Sequence, residues 1–511
     1  MRFTNTISLI AYVLLFNACS IDLNEKQPNV LFISVDDWND WVGCLDGHPG
    51  VKTPNLDQLA REGLLFEKAY CPSPVCNPSR TAILTGKMPS SSGIYDNSQW
   101  WIPNMPNTVT LPKYFRNNGY HTAGAGKIFH HTAGFNDPEA WDEYFMWDKK
   151  AKDKGLAEGW QDSSAPLPDS VPASLITERT KVFFDYAPLP VSDMEMPDNK
   201  TARWAGDFLS EKHDKPFFLA VGMFRPHIQW YVPQEYFDMY PLDDIQLPDY
   251  LENDLEDVPE IAREMALDQG SDQDYIEEKG IWKELIQAYL ASISFSDAQV
   301  GIVLKALREG PNASNTNVVL WSDHGYHLGE KDHWHKSTLW QRSTHVPLII
   351  KAPGLTKNNS ICASPVSLIS LYPTLAELCG LPKPTGTDGI SIFPLLANPD
   401  LDWESPVLVE YLKGNCAIIA GKYQLIHYRD GENELYDLEK DPNEWKNLVN
   451  EPEYTNVMKK LLKEVPKKFA NEAIRKNQYI FDPGNYTFTD KSDNKVYHGF
   501  SNGADYSWIM N

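Results

Sequence analysis

The sequence predicts an α/β protein built on a large, mostly parallel sheet with helices on both faces, and three observations carry that prediction. Three continuous apolar runs, Val30-Leu31-Phe32-Ile33-Ser34-Val35, Phe217-Phe218-Leu219-Ala220-Val221 and Val318-Val319-Leu320-Trp321, have the length and composition of strands covered on both sides. Each run leads into a polar cluster: Asp36-Asp37, then Arg225-Pro226-His227, then Ser322-Asp323-His324-Gly325. Helix signals lie between the runs, and strands alternating with helices make a doubly wound sheet. Ligands of such sheets collect outside the carboxyl ends of the strands, so the three clusters are expected to converge on one pocket.

Taken in order, the chain begins with Arg2, an apolar stretch from Ile7 to Phe16, and then Asn17-Ala18-Cys19-Ser20, the pattern of an export signal over residues 1–19. The apolar part is too short for a permanent transmembrane helix, and no later segment reads as apolar enough to span a bilayer. The small residues before Cys19 resemble a bacterial lipoprotein cleavage box, with Phe16 where Leu is usual. That likeness implies an exported protein, periplasmic or tethered to the outer membrane through a lipidated Cys19.

After the first strand, Thr53 as N-cap, Pro54 at the first helical position, Leu56 and Leu59 on the apolar side and Gly63 beyond the end predict a helix. A Pro/Gly-rich passage, Gly380–Gly389, has the turn chemistry of a boundary. It separates a main domain, residues 28–385, from a C-terminal part, residues 386–511. In the latter, Ala417–Ile426 reads as a hairpin and Glu434–Leu438 as the next strand. The closing residues are aromatic without period (Tyr479, Phe481, Tyr486, Phe488, Tyr497, Phe500, Tyr506, Trp508) and are expected to wrap the main domain rather than line a sugar-binding cleft.

Composition bounds the function. The 511 residues, 42% hydrophobic and 12% aromatic, supply a large core and exclude a disordered or fibrous class. Acidic residues outnumber basic ones 70 to 46, a formal charge of −24, which argues against nucleic acid or an anionic membrane surface as the main partner. An anionic substrate would need a local basic cluster. The seven cysteines (Cys19, Cys44, Cys71, Cys76, Cys362, Cys379, Cys416) are too sparse for a disulfide scaffold. Cys71 and Cys76 lack the second Cys or His pair that a zinc finger would require.

One stretch is chemically loaded: Cys76-Asn77-Pro78-Ser79-Arg80, closed by Thr85-Gly86. A thiol near an arginine, with Pro fixing the backbone, makes an electropositive nucleophile site, whereas an isolated Cys-x-Pro is more often an inert buried cysteine beside a turn. The run resembles the C-x-P-S-R-x-x-x-x-T-G signature of type I sulfatases. That resemblance implies the alkaline-phosphatase-like sulfatase fold with a small C-terminal antiparallel subdomain. It also implies that a maturing enzyme oxidises Cys76 to formylglycine, whose hydrate attacks the sulfur of a sulfate ester.

Further motifs occur in the family's order. Asp36-Asp37 matches the first two metal ligands, and Asp323-His324 the second pair, with His324 where arylsulfatases usually carry Asn, as in the iduronate-2-sulfatase branch. With Cys76 as a further ligand, this oxygen-rich set implies calcium, or else magnesium, binding a sulfate oxygen as a Lewis acid. Gly126-Lys127-Ile128-Phe129-His130 resembles the second family signature: Lys127 would neutralise nucleophile or sulfate, and His130 would take the proton that releases sulfate. Phe224-Arg225-Pro226-His227 matches the segment whose histidine meets the leaving oxygen, so His227 is the candidate general acid. Lys336, twelve residues after His324, stands where the family places a sulfate-binding lysine. Arg80, Lys127 and Lys336 then form the local cationic cluster that an acidic chain needs, since distant charges are screened beyond about 8–10 Å.

The likeness implies a sulfated sugar substrate, from ulvan, a glycosaminoglycan or a related polymer, with a 2-O-sulfate as one choice. Trp100, Trp101, His131 and His333 are candidates for the substrate loops. The alternatives are a phosphodiesterase or phosphonate monoester hydrolase of the same superfamily, and a carbohydrate-binding lipoprotein without catalysis.

Overall fold

The computed structural model describes residues 27–130, 134–145, 185–267 and 272–500. The expected export signal with Cys19, together with His131, Tyr506 and Trp508, lies outside them. Among the described residues nine strands form one twisted sheet, whose main path runs Ser360–Cys362, Leu64–Tyr70, His345–Lys351, Thr316–Ser322, Asn29–Val35, Phe217–Met223, His121–Gly126, Glu143–Phe145. Only His345–Lys351 runs against its neighbours; the other pairings are parallel. The three strands expected from the apolar runs are adjacent at the centre. Val30 pairs with Phe218 on one side and Asn317 on the other, so all three polar clusters emerge from the same edge.

Alternation along Asn29–Val35 sends Val30 and Phe32 into one core and Leu31, Ile33 and Val35 into the other, and all five are fully buried. Each such side chain contributes roughly 2 kcal/mol by leaving water, which is why runs without polar alternation form central strands. The helices Pro197–Ser210 and Trp282–Glu309 close one face through Ala202, Ala205, Leu290 and Ile293. The helices Cys76–Thr85, Leu111–Asn117 and Leu371–Leu378 close the other through Ile83, Leu84, Phe115 and Leu375.

Two expectations are corrected. Trp282–Glu309 is long and apolar enough to cross a membrane, contrary to the reading of the sequence, but most of it is buried inside the protein as a core helix. The helix Pro54–Glu62 forms as expected, yet the Thr53 hydroxyl does not cap it. That hydroxyl accepts from the Gly43 amide and donates to Asp57, while Asp297, on the long core helix, accepts from the amides of Asn55 and Leu56. A tertiary carboxylate has taken the local cap's place.

A four-stranded antiparallel sheet, Val407–Glu410, Cys416–Ala420, Tyr423–His427 and Asn433–Asp437, comes after the boundary passage. It turns Val409, Ala417, Ile419 and Ile426 to the main core and Cys416, Ile418, Leu425 and Leu435 to a small core capped by Leu461. The aromatic tail is more ordered than its lack of period suggested. Tyr479–Asp482, Thr487–Asp490 and Val496–His498 pair antiparallel, and Phe481 and Phe488 pack against Trp100 at ring separations of 5.4 and 5.1 Å. All six described cysteines are free thiols.

Candidate active site

Cys76 opens the helix Cys76–Thr85, every residue of which is buried. The signature's far end has a local cause: Gly86 ends the helix with φ 71° and donates to Ala82 O at 2.8 Å, a left-handed cap that suits glycine. At the near end, the Asn77 amide, left without a partner by the first turn, donates to Asn97 Oδ1 at 2.9 Å.

Arg80 lies one turn further on and is wholly buried. Its Nε donates to Asp323 Oδ2 at 2.7 Å, Nη2 to Asp36 Oδ1 at 3.1 Å, and Nη1 to the carbonyls of Lys127 and Ile128 at 2.7 and 2.9 Å. The planar fork thus ties the helix to all three neighbouring segments, a geometry that lysine could not reproduce.

Three cations meet three carboxylates around Cys76. Lys127 Nζ donates to Asp36 Oδ2 and lies 4.0 Å from Cys76 Sγ. Lys336 Nζ donates to Asp37 Oδ1 at 2.6 Å and lies 3.4 Å from the same sulfur. His324 Nε2 is 3.2 Å from Cys76 Sγ, 3.4 Å from Asp37 Oδ1 and 3.6 Å from Asp323 Oδ2. Burial by itself would raise the Asp36 carboxyl, but Lys127, His227 and Arg80 outweigh it and hold it well below the carboxylate range. Burial would lower His324, yet the Asp323 carboxylate prevails and lifts it to about 9.

Close backbone approach places Lys127. Gly126 has φ 73° and registers with Gly222, and a Cβ on either would come within 2.0 Å of a backbone oxygen. Only glycines let the Lys127 amide reach Gly222 O at 3.0 Å and turn the side chain into the site. Lys336 stands on a strained segment: Lys331, Asp332, His335 and Ser337 all have φ between 52° and 82°. Strain of this kind, on the order of 1–3 kcal/mol per residue, persists where surroundings over-determine the backbone. Here Ser337 N donates to Pro74 O at 3.1 Å, and Lys331 Nζ to Asp254 and to Glu444 O at 2.9 and 2.6 Å.

The ligand atoms of Asp36, Cys76, Asp323 and His324 lie within 4.8 Å of one another, as do those of Asp36, Asp37, Cys76 and His227. Asp37 Oδ2 is buried without a hydrogen-bond partner. A buried carboxylate oxygen left without a donor, among two further carboxylates, fits a hard divalent cation. His227 sits at the site with Nδ1 2.6 Å from Ile228 O, which leaves Nε2 as its other functional nitrogen. His130 belongs to neither ligand set; it lies past Lys127 with its ring 4.8 Å from that of Phe135.

Two family models match this architecture, "Sulfatase" over residues 28–381 and "N-sulphoglucosamine sulphohydrolase, C-terminal" over residues 329–471. The chain belongs to the sulfatase family. A sulfatase of Formosa agariphila is 37% identical over 497 residues, 92% of this chain and 94% of that protein. Mouse iduronate 2-sulfatase is 33% identical, covering 70% of this chain and 69% of its own length, and an ulvan-active sulfatase of F. agariphila is 27% identical over 97% and 93%. Among solved structures, an enzyme in complex with its substrate D-glucosamine-2-N,6-O-disulfate superposes with a TM-score of 0.68 at 21% identity, over 86% of this chain and 97% of that one. The phosphonate monoester hydrolase of Agrobacterium radiobacter gives 0.68 at 23%, over 86% and 94%. This sulfatase is therefore a sulfuric ester hydrolase with the sulfatase fold, a large mostly parallel sheet with a small antiparallel sheet after it.

Several site features carried no sequence signal. Asp198, buried at the start of Pro197–Ser210, accepts from the amides of Phe224 and Arg225 at 2.9 Å each and so fixes the turn that carries His227. Asn77 Nδ2 donates to the carbonyls of Asp96 and Gln99, both at 2.8 Å, anchoring the loop before Trp100. Of the residues expected on substrate loops, the three described ones are buried. Trp100 is buried among Phe135, Tyr479, Phe481 and Phe488. Trp101 donates from Nε1 to Phe135 O, and His333 is buried between the carbonyls of Ala266 and Lys336. The two large aromatic side chains are absorbed by packing, the default use of buried apolar surface.

Proposed function

We propose that this sulfatase desulfates sugars of a sulfated polysaccharide or its oligosaccharides, an ulvan- or glycosaminoglycan-like material, with residue 76 working as formylglycine and calcium as its ion. The observation that carries the reading is the convergence of His324, Lys336 and Lys127 on Cys76 Sγ, at 3.2, 3.4 and 4.0 Å. A plain thiol has little use for two ammonium groups, whereas an oxygen nucleophile beside a sulfate has need of both.

Asp36, Asp37, Asp323 and His324 would hold the ion, which supplies Lewis-acid polarisation of a sulfate oxygen. Charge balance supports a sulfate monoester. With His324 neutral as a ligand of the ion, the three carboxylates are offset by Arg80, Lys127 and Lys336, so a divalent cation is neutralised by one negative charge on the ester and one on an ionised nucleophile. Lys127 and Lys336 orient the anion, and burial around them strengthens each contact. His227 would give a proton to the departing sugar oxygen, and His130 would take one from a hydroxyl at position 76, roles worth about 100- to 10,000-fold each. The leader read from residues 1–19 suits a polymer met outside the cytoplasm, with Cys19 as the tether.

Mass spectrometry of the peptide holding residue 76, from protein made in a host with a sulfatase-maturing enzyme, is expected to find an aldehyde, and Cys76→Ala should remain folded without turnover. Sulfate release by that variant, or an unmodified thiol in active protein, refutes the mechanism. Phosphonate monoesters and phosphate diesters assayed beside sulfate esters test the alternative of a phosphonate monoester hydrolase or phosphodiesterase.

A further inference from the structure

We propose that Lys476 binds a second anionic group of the sugar substrate, a carboxylate or another sulfate, at the rim of the active site. The proposal rests on the reading of the enzyme as a sugar sulfatase and deepens it to a substrate that carries two negative charges.

Lys476 belongs to a strap, residues 470–476, that the C-terminal part lays across the loop before Trp100. The amides of Ala470, Ala473 and Lys476 donate to the carbonyls of Ser90, Gly93 and Ser98 at 2.7, 2.8 and 2.6 Å. Gln99 Nε2 donates to Ala473 O at 3.0 Å, and Asn104 exchanges two hydrogen bonds with Ile474. The same loop grips Asn77, the residue after Cys76, through Asn97, Asp96 and Gln99. The backbone of Lys476 is thereby fixed relative to the nucleophile, although 400 positions separate the two in the chain.

Its side chain reaches Phe135, the ring that also packs on His130. The Lys476 ammonium lies 5.3 Å from the centroid of Phe135, whose ring is 4.8 Å from that of His130, so the charge is no more than about 10 Å from His130. One pyranose ring with its substituents spans that reach. The ammonium is half-buried, and no hydrogen bond or ion pair holds it among the described residues. Its neighbour Arg475 is paired with Asp96 at 3.2 Å. Burial draws the Lys476 amine below its ordinary range, against the pull of Asp96. Arg80, Lys127 and Lys336 are already committed to carboxylates beside Cys76 and serve the scissile sulfate. A cation poised over an aromatic face with no ion-paired carboxylate among the described residues, in a chain of formal charge −24, gains most from an anion that the substrate itself brings.

The test uses the mature enzyme, Lys476→Met, which keeps the stem over Phe135 without the charge, and Lys476→Arg. Substrates are a sulfated uronate-containing disaccharide, its carboxyl-reduced counterpart, a disulfated neutral disaccharide, and methylumbelliferyl sulfate. Lys476→Met is expected to lose about 10- to 100-fold in kcat/KM on a doubly anionic sugar, chiefly through KM. That loss should exceed the loss on methylumbelliferyl sulfate and on the singly charged sugar at least tenfold, with Lys476→Arg restoring most of it. A loss confined to the uronate assigns a carboxylate partner, and one confined to the disulfated sugar assigns a sulfate. Equal losses on all four substrates, or none on either doubly anionic sugar, overturn the proposal. A wild-type enzyme that cleaves methylumbelliferyl sulfate but no sugar sulfate overturns the sugar reading itself.

Discussion

Arg80 and Asp323, 243 positions apart in the chain, meet through a fully buried 2.7 Å bond, and that contact joins the helix carrying Cys76 to the strand end carrying the metal-ligand candidates. The same guanidinium spans Asp36 and two carbonyls of the Lys127 segment. Arg80→Lys keeps the charge and discards the fork. The variant is expected to lose about 2–4 kcal/mol of stability and at least ~100-fold in turnover, because buried acceptors are left without donors and the ligand carboxylates are released. Thermal unfolding and sulfate release measure the two losses. A variant with wild-type turnover would show that the fork does not organise the site.

Removal of the ion tests the buried carboxylates Asp36, Asp37 and Asp323. Because Arg80, Lys127 and Lys336 offset them in ion pairs, the protein is expected to stay folded when a chelator strips the metal, with a lower Tm and with turnover reduced at least ~100-fold. Calcium should restore more activity than magnesium, since a crowded set of carboxylates around a large site favours the ion with flexible, higher coordination. Full activity after exhaustive dialysis against chelator, with metal content confirmed as nil, counts against the assignment.

Glu410, at the end of the strand Val407–Glu410, is completely buried; its Oε2 accepts from Ser90 N at 2.9 Å while Oε1 has no partner. Burial pushes the carboxyl up to about 7. An unfolded glutamate titrates near 4.3, so the folded form holds the proton more tightly. The stability tied to that proton is complete below about pH 4 and is lost as pH rises through about 7, up to roughly 3 kcal/mol. Unfolding monitored from pH 5 to pH 8 should show Glu410→Gln falling less than the wild type over that interval. Parallel curves would rule out Glu410 as a source of the pH dependence.

Sequence alone conveyed the central sheet and the convergence of the polar clusters at its strand ends, for a physical reason. Strands such as Val30–Val35 are buried on both faces, which leaves an uninterrupted apolar run, and the polar residues at each strand end are dictated by chemistry rather than packing. The helix cap at Asn55 and Leu56 was misassigned to Thr53 because the carboxylate that supplies it, Asp297, comes from a helix some 240 positions away and leaves no local pattern. For the same reason Asp198, which steadies the turn of His227, and the strap with Lys476 were invisible: each acts through backbone carbonyls or amides, which every residue possesses. Trp100 and Trp101, read as candidates for substrate loops, are buried instead, Trp100 under Phe481 and Phe488 of the tail strands and Trp101 against Phe129 and the Phe135 carbonyl.

His227 offers the sharpest division between chemistry and structure. Its Nδ1 lies against Ile228 O at 2.6 Å, so Nδ1 carries the proton toward that carbonyl, and the proposed proton transfer to substrate would run through Nε2. A sugar alkoxide is a poor leaving group and needs that proton in the transition state, whereas an aryl oxide departs with little help. His227→Ala is therefore expected to slow sugar desulfation about 1,000-fold while slowing aryl sulfate hydrolysis about tenfold or less. His227→Gln, which preserves a hydrogen bond to the backbone but cannot transfer a proton, should behave like the alanine variant on sugars. Comparison of kcat/KM across aryl sulfates of graded leaving-group acidity supplies the decisive measure, since loss of a general acid steepens that dependence. An unaltered slope would assign His227 to holding the site's shape or to binding the ion, and not to proton transfer.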